Sequence, residues 1–460
     1  MRAHRLRYSP GSSGWLVLAL TQALACGGDG GDKPPVPPEG SPVTITFLEH
    51  ENPNYTAANG VGFTEYMTAH PNVRIAVTTV LYSTVTATLN ADLRADQLAY
   101  DLLQVPPSWV CSFADNLADV PDDVLSLAQA QNVFFAAPLD GSTCEGKLKG
   151  LPVEYNLEYG GVVVNLDKYQ ARFPGKTPDW PDWASFIADA AALTEYDASG
   201  KPLANGLDID PSWAQPIKHI FFSQILQRGG LYWSTRGDAF DFQTPAARES
   251  LADMVSWIAK DKVMHPEIIP STQTFVIDRL IGGASGYGWS DPAKPLAIMG
   301  YGGTWVLNAV YLLLPKERTT RYGFFRLPPM VGTEHKFVQN SGWAFAVPKT
   351  SKNQRVAWDI AKSIALSPEA MQKWSATTGA LPALIANGSE EAARNNPLLA
   401  QVQPLLASGR WVGYIPAGAI ETVEGAILSN FFAAARAMKT IDQALADMQQ
   451  TANQALASNR

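Results

Sequence analysis

An α/β protein of two lobes is the fold this sequence predicts, and three observations carry the prediction. The chain has 460 residues, 46% hydrophobic and 17% charged, which is more than one core usually serves. Short apolar strands alternate with helical stretches, the pattern of a mostly parallel sheet covered on both faces. The first 42 residues carry no such pattern, so the fold begins after them.

The N-terminus is basic at Arg2, Arg5 and Arg7 and then apolar from Trp15 to Leu20. This is the layout of a signal peptide over residues 1–25. It is too short to span a bilayer, which takes roughly 20 apolar residues. The run ends in Ala23-Leu24-Ala25-Cys26, which resembles the lipobox of bacterial lipoproteins. That resemblance implies that Cys26 is acylated and becomes the mature N-terminus. Ala23 stands where the lipobox usually has a large aliphatic residue, and secretion with a different cleavage point is the alternative. Residues 26–42 are rich in Gly, Asp and Pro and read as a flexible tether between lipid and fold.

Val43–Phe47 and Val73–Val77 alternate apolar and polar residues as strands do. Phe63, Tyr66 and Met67 lie between them at helical spacing. A second helical stretch, 83–98, leads to a strand at Leu102–Val105, completing a β-α-β-α-β series. In such a sheet a ligand sits outside the carboxyl ends of the strands. The loops at 50–53, 81–83 and 106–109 are therefore weighted, and with them Glu51 and Trp109. Further on, Ser367-Pro368-Glu369 opens a helix with Ser as N-cap and Pro in the first turn. The last helix carries Ile441, Leu445, Met448, Ala452 and Leu456 as one apolar stripe for packing. The glycine-rich stretch 282–286 reads as a flexible loop.

Several segments, in order, resemble the extracellular solute-binding proteins of bacterial ABC importers, of the maltose-binding type. They are Gly150-Leu151-Pro152-Val153-Glu154-Tyr155-Asn156 with Gly160–Lys168, Pro178–Trp183, Leu296–Trp305, Ser341–Asn353 and Thr377–Ala383. The resemblance spans nearly all of 43–460. It implies a two-lobed, type II periplasmic-binding-protein-like fold with a ligand cleft between the lobes and closure by hinge bending. One lobe is expected to combine 43–152 with 299–366 and the other 153–298 with 367–460. It also implies an extracytoplasmic, lipid-anchored location and the permease subunits of an importer as partners.

The candidate solute is a carbohydrate, of di- or oligosaccharide size. Sugar rings stack their C–H faces on aromatic planes, and their hydroxyls need carboxylate and amide partners. Twelve of the thirteen tryptophans lie beyond the signal segment. Trp257, Trp358 and Trp374 sit within helical patterns and read as core, and Trp180 and Trp183 as a helix start. Trp109, Trp233, Trp289, Trp305, Trp343 and Trp411 fall in loops or at strand ends. Trp305 is foremost, because the matching family turn places an aromatic against the solute, whereas Trp343 reads equally as core. On the crossing strand, Glu154, Tyr155 and Glu158 are candidates; the stretch from Pro152 to Asn165 is longer than in many relatives, which leaves open which of them faces the cleft.

Cys111 and Cys144 are an isolated pair, either a disulfide suited to an oxidising compartment or two separate buried thiols. The net charge of −8, or −11 once the three N-terminal arginines leave, is that of a poor nucleic-acid binder. No G-x-S-x-G, H-E-x-x-H or G-x-x-x-x-G-K-[ST] motif occurs. No catalytic group, metal or cofactor is therefore expected. A glycoside hydrolase is the competing class, since its sites also pair carboxylates with tryptophans. Within binding proteins a polyamine, an iron complex or a peptide are alternative solutes.

Overall fold

The computed structural model describes residues 41–460 except 82–84, 86–87, 90–98, 158–159, 211–213, 235–237, 269–274, 283–294, 315–319, 332–336, 339–341, 390–399, 401, 411–414, 416 and 460. The signal segment and Cys26, and nearly all of the tether, lie outside the described residues, as does most of the expected helix at 83–98.

Strand β1 (Val43–His50) buries Ile45 and Phe47 and pairs in parallel with β2 (Val73–Val80), from Val43 opposite Val73 to His50 opposite Val80. Between them, α1 (Pro53–Ala69) starts on Asn52, whose side chain accepts from the Asn54 N–H, with Pro53 in the first turn. β3 (Leu102–Val105) joins β1 in parallel. β4 (Leu151–Pro152) belongs to the same sheet but reaches it through a later strand, described below.

The second sheet is built from β5 (Gly161–Asn165), β6 (Glu195–Tyr196), β7 (Pro202–Asp208), β8 (Ala297–Gly302) and β9 (Tyr322–Arg326), in the order β9-β5-β8-β7-β6. β8 runs parallel to β7 and antiparallel to β5, with Met299 opposite both Leu207 and Val164. Helix α2 (Ala214–Gln227) is buried over most of its length, and α3 (Val276–Ile281) and α4 (Thr304–Leu313) flank β8.

β10 (Ala344–Ala346) returns the chain to the first sheet, inserting antiparallel between β3 and β4 for the order β2-β1-β3-β10-β4. The expected return at 299 is therefore corrected. The ladders of β8 and β9 hold residues 297–326 in the second sheet, so the crossing falls between Arg326 and Ala344. The second boundary moves as well. Helices α5 (Gln354–Ala365) and α6 (Pro368–Thr378) bury Trp358, Met371 and Trp374 in the first core, as do Ala380, Ala383 and Leu384. The expectation had given 367 onward to the other lobe. Helices α7 (Ile420–Ala435) and α8 (Ile441–Ser458) then close the second core, where Leu445, Met448, Ala452 and Leu456 form the expected stripe. Ser367 caps α6 by accepting from the Ala370 N–H.

Cys111 and Cys144 form a disulfide. It ties the turn after β3 to a hairpin of Thr143–Cys144 and Lys147–Leu148.

Candidate functional site

The chain passes between the two sheets in three segments: after β4, after β9, and beyond Leu384. Where they run side by side the backbone is tightly cross-tied. Val153 and Glu154 donate to the Trp343 carbonyl, and Tyr155 donates to that of Leu381. Glu154 also forms a bridge with Pro382. Gly342, at φ +108°, makes the approach possible: a Cβ there would sit 2.7 Å from the Glu154 carbonyl oxygen.

Glu154 is fully buried at this junction. Its Oε2 accepts a 2.7 Å hydrogen bond from the Tyr55 hydroxyl on α1. Burial pushes the carboxyl up to about 7, against the opposing pull of Tyr55 and the nearby Asn156 amide. Tyr55 in turn stands edge-on to His50, Trp343 and Trp374. The His50 ring lies flat on Trp343, 4.1 Å between centroids and 9° between planes, and burial lowers it to about 3, so it is neutral. Beside it, Glu49 accepts from Thr56 Oγ1 (2.5 Å) and Asn59 Nδ2 (2.7 Å), and Asn59 Oδ1 receives the Trp374 indole N–H. The carboxyl end of β1 is thus a buried polar and aromatic cluster held by α1 and α6.

The second lobe meets the same junction through Thr304. Its hydroxyl donates to Asn156 Oδ1 (3.1 Å) and accepts from the Leu157 N–H (3.2 Å), while its own N–H donates to the Leu157 carbonyl. Trp305 follows it in the first turn of α4 and is half-buried, packed against a core layer shared with Tyr155 and Leu381. Gly302 allows this turn to press on the end of β8, since a Cβ there would lie 2.6 Å from Val306 Cγ2. At the carboxyl end of β7, buried Arg279 pairs with Asp208 and with Asp210, the latter at 3.0 Å.

Of the sequence candidates, Glu154 and Trp343 come together, and Trp305 stands across the crossing strand from them. Glu51 is exposed at the end of β1. Tyr155 points the other way, into the core, and donates to the Leu406 carbonyl. Trp343 is buried against His50 and Trp109 lies in the first lobe's second core layer, so neither presents an open face. Trp233 stacks on Phe240, whose N–H bonds to Asn453 of α8, and is not brought to the junction. Glu158, Trp289 and Trp411 lie outside the described residues. Tyr55 and Thr304 were missed, and His50 entered only as the first residue of the weighted loop 50–53. Their only sequence signal is position, His50 at the end of β1, Tyr55 shortly after it and Thr304 just before Trp305. Among the described residues no group of His, Cys, Asp and Glu is placed to hold a metal.

The family described as bacterial extracellular solute-binding protein matches residues 63–400. The fold is shared with the sugar-binding protein MalE of Xanthomonas citri (16% identity, 90% of this chain and 98% of that one, TM-score 0.70). It is also shared with the cyclic alpha-maltosyl-1,6-maltose binding protein of Arthrobacter globiformis (21%, 91% and 100%, 0.69). A third likeness is to the maltose/maltodextrin-binding domain MalE of Bdellovibrio bacteriovorus bound to maltotriose (16%, 90% and 99%, 0.68). No curated protein matches the chain by sequence.

Proposed function

Since the chain belongs to the bacterial extracellular solute-binding proteins, we propose that it holds a di- or oligosaccharide between its lobes and delivers it, chemically unchanged, to the permease of an ABC importer. The observation that carries this reading is Trp305. It is a partly buried indole just beyond the carboxyl end of β8, joined through Thr304 to the crossing segment that also bears Glu154. A partly exposed aromatic plane at a strand's carboxyl end suits the C–H face of a sugar ring. The likeness in fold to three sugar-binding proteins supports the same solute class.

In this reading Trp305 stacks on the sugar, and Glu51 supplies an acceptor from the first lobe. Glu154 and Tyr55 hold the junction about which the lobes close. A solute touching both lobes only when they are shut draws the equilibrium toward the closed form, which the permease reads. Cys26 carries the lipid that keeps the protein at an extracytoplasmic membrane surface. A thermal-shift panel of maltose, maltotriose, cyclic maltosyl-maltose, spermidine, ferric citrate and a tripeptide tests the solute class, because a ligand of the folded state raises its melting temperature. A rise with a sugar alone is expected; a rise with spermidine, ferric citrate or the tripeptide and none with sugars refutes it.

A further inference from the structure

We propose that Ser112 sets the affinity of this protein for its solute without touching it, by latching the lobes together through the Ile415 carbonyl. The proposal rests on the reading of a solute enclosed between the lobes. Ser112 lies in the turn Cys111–Phe113 that follows β3 of the first sheet, and its hydroxyl donates a 2.7 Å hydrogen bond to the carbonyl of Ile415. Ile415 belongs to the core of the second lobe. The partners are 303 residues apart, and Ile415 is the point at which the third crossing segment joins the second lobe's core.

A second contact lies at the same place. Ile420, the first residue of α7, packs against the second lobe's core and also against the first lobe's layer of Trp109, Phe113 and Leu117. One apolar side chain is thus shared by both lobes beside one polar bond. The turn bearing Ser112 is fastened to its own lobe by the Cys111–Cys144 disulfide next door and by buried Val110 and Phe113. In the proposed latch the turn stays with the first lobe and Ile420 with α7, so opening the lobes breaks the Ser112 bond and uncovers Ile420.

Because a solute enclosed by both lobes binds to the closed form, its apparent affinity scales with the fraction of the sugar-free protein that is closed, which a latch raises. A neutral hydrogen bond is worth roughly a two- to tenfold shift in such an equilibrium. The test compares the purified parent with Ser112→Ala, Ser112→Thr and Ile420→Ala. It reads small-angle scattering of the sugar-free chain, calorimetric affinity for maltotriose and melting temperature. The latch predicts a larger radius of gyration for Ser112→Ala and Ile420→Ala, a two- to tenfold weaker affinity in Ser112→Ala at parent-like melting temperature, and recovery in Ser112→Thr, which keeps the hydroxyl. Unchanged scattering and affinity in a folded Ser112→Ala protein overturn it. Should the parent bind no sugar, the carbohydrate reading fails by itself. The sugar-free scattering then decides the latch, expansion supporting it and no change sinking it.

Discussion

Replacing Glu154 by Gln keeps the shape of the side chain and an acceptor for Tyr55 while removing the ionisation. In the folded protein burial lifts this carboxyl from its ordinary 4.5 to about 7. Its pKa is thus raised on folding, so the native state holds a proton that the unfolded chain has already lost. The sign follows: ionising Glu154 costs nothing extra below 4.5, and destabilisation grows as pH rises from 4.5 to 7 and is complete above that. The gap corresponds to about 3 kcal/mol. Glu154→Gln is therefore expected to match the parent at pH 4.5 and to exceed it by up to about 3 kcal/mol at pH 8, measured from urea unfolding curves. Glu49 and Asp278 are also raised by burial, but both are common to the two proteins and cancel in the difference. A stability difference that stays flat between pH 4.5 and 8 refutes the reasoning.

Trp305→Ala should weaken maltotriose binding at least tenfold, about 1.4 kcal/mol, with a melting temperature close to the parent's; a large loss of stability at normal affinity would assign the indole to the core instead. Arg279→Met leaves Asp208 and Asp210 buried without their cation and should cost about 3–5 kcal/mol in urea unfolding, so a loss under 1 kcal/mol would show that the pair is dispensable. Cys26→Ser should move the protein from the membrane fraction to the soluble one. Membrane retention with an unmodified Cys26 in the parent would contradict the anchor.

Local periodicity made much of this fold legible. The strand at 43–47, the helix carrying Phe63 and Tyr66, the Ser367 cap and the stripe from Leu445 to Leu456 each depend on neighbours within a few residues. Sheet membership does not. The run 297–302 reads as a strand in any sheet, and only its pairing with Val164 and Leu207 assigns it to the second, which is why the lobe boundary was misplaced. The same limit applied at the junction. Whether Glu154 or Tyr155 faces α1 is fixed by backbone bonds to Trp343 and Leu381, which lie about two hundred residues along the chain. Tyr55 and His50 acquire meaning only once Trp343 is laid on His50. Trp305 was singled out by the family turn it resembles, just after β8, and its part in binding is what the Trp305→Ala prediction tests.

The central claim is that the lobes bind a sugar and do not transform it. Calorimetric titration of the parent with maltotriose, followed by overnight incubation and analysis of the recovered sugar, tests both halves in one sample. Saturable one-to-one binding with maltotriose recovered intact is the predicted result. Absence of binding by every sugar of the panel, or recovery of glucose and maltose in place of maltotriose, would contradict it.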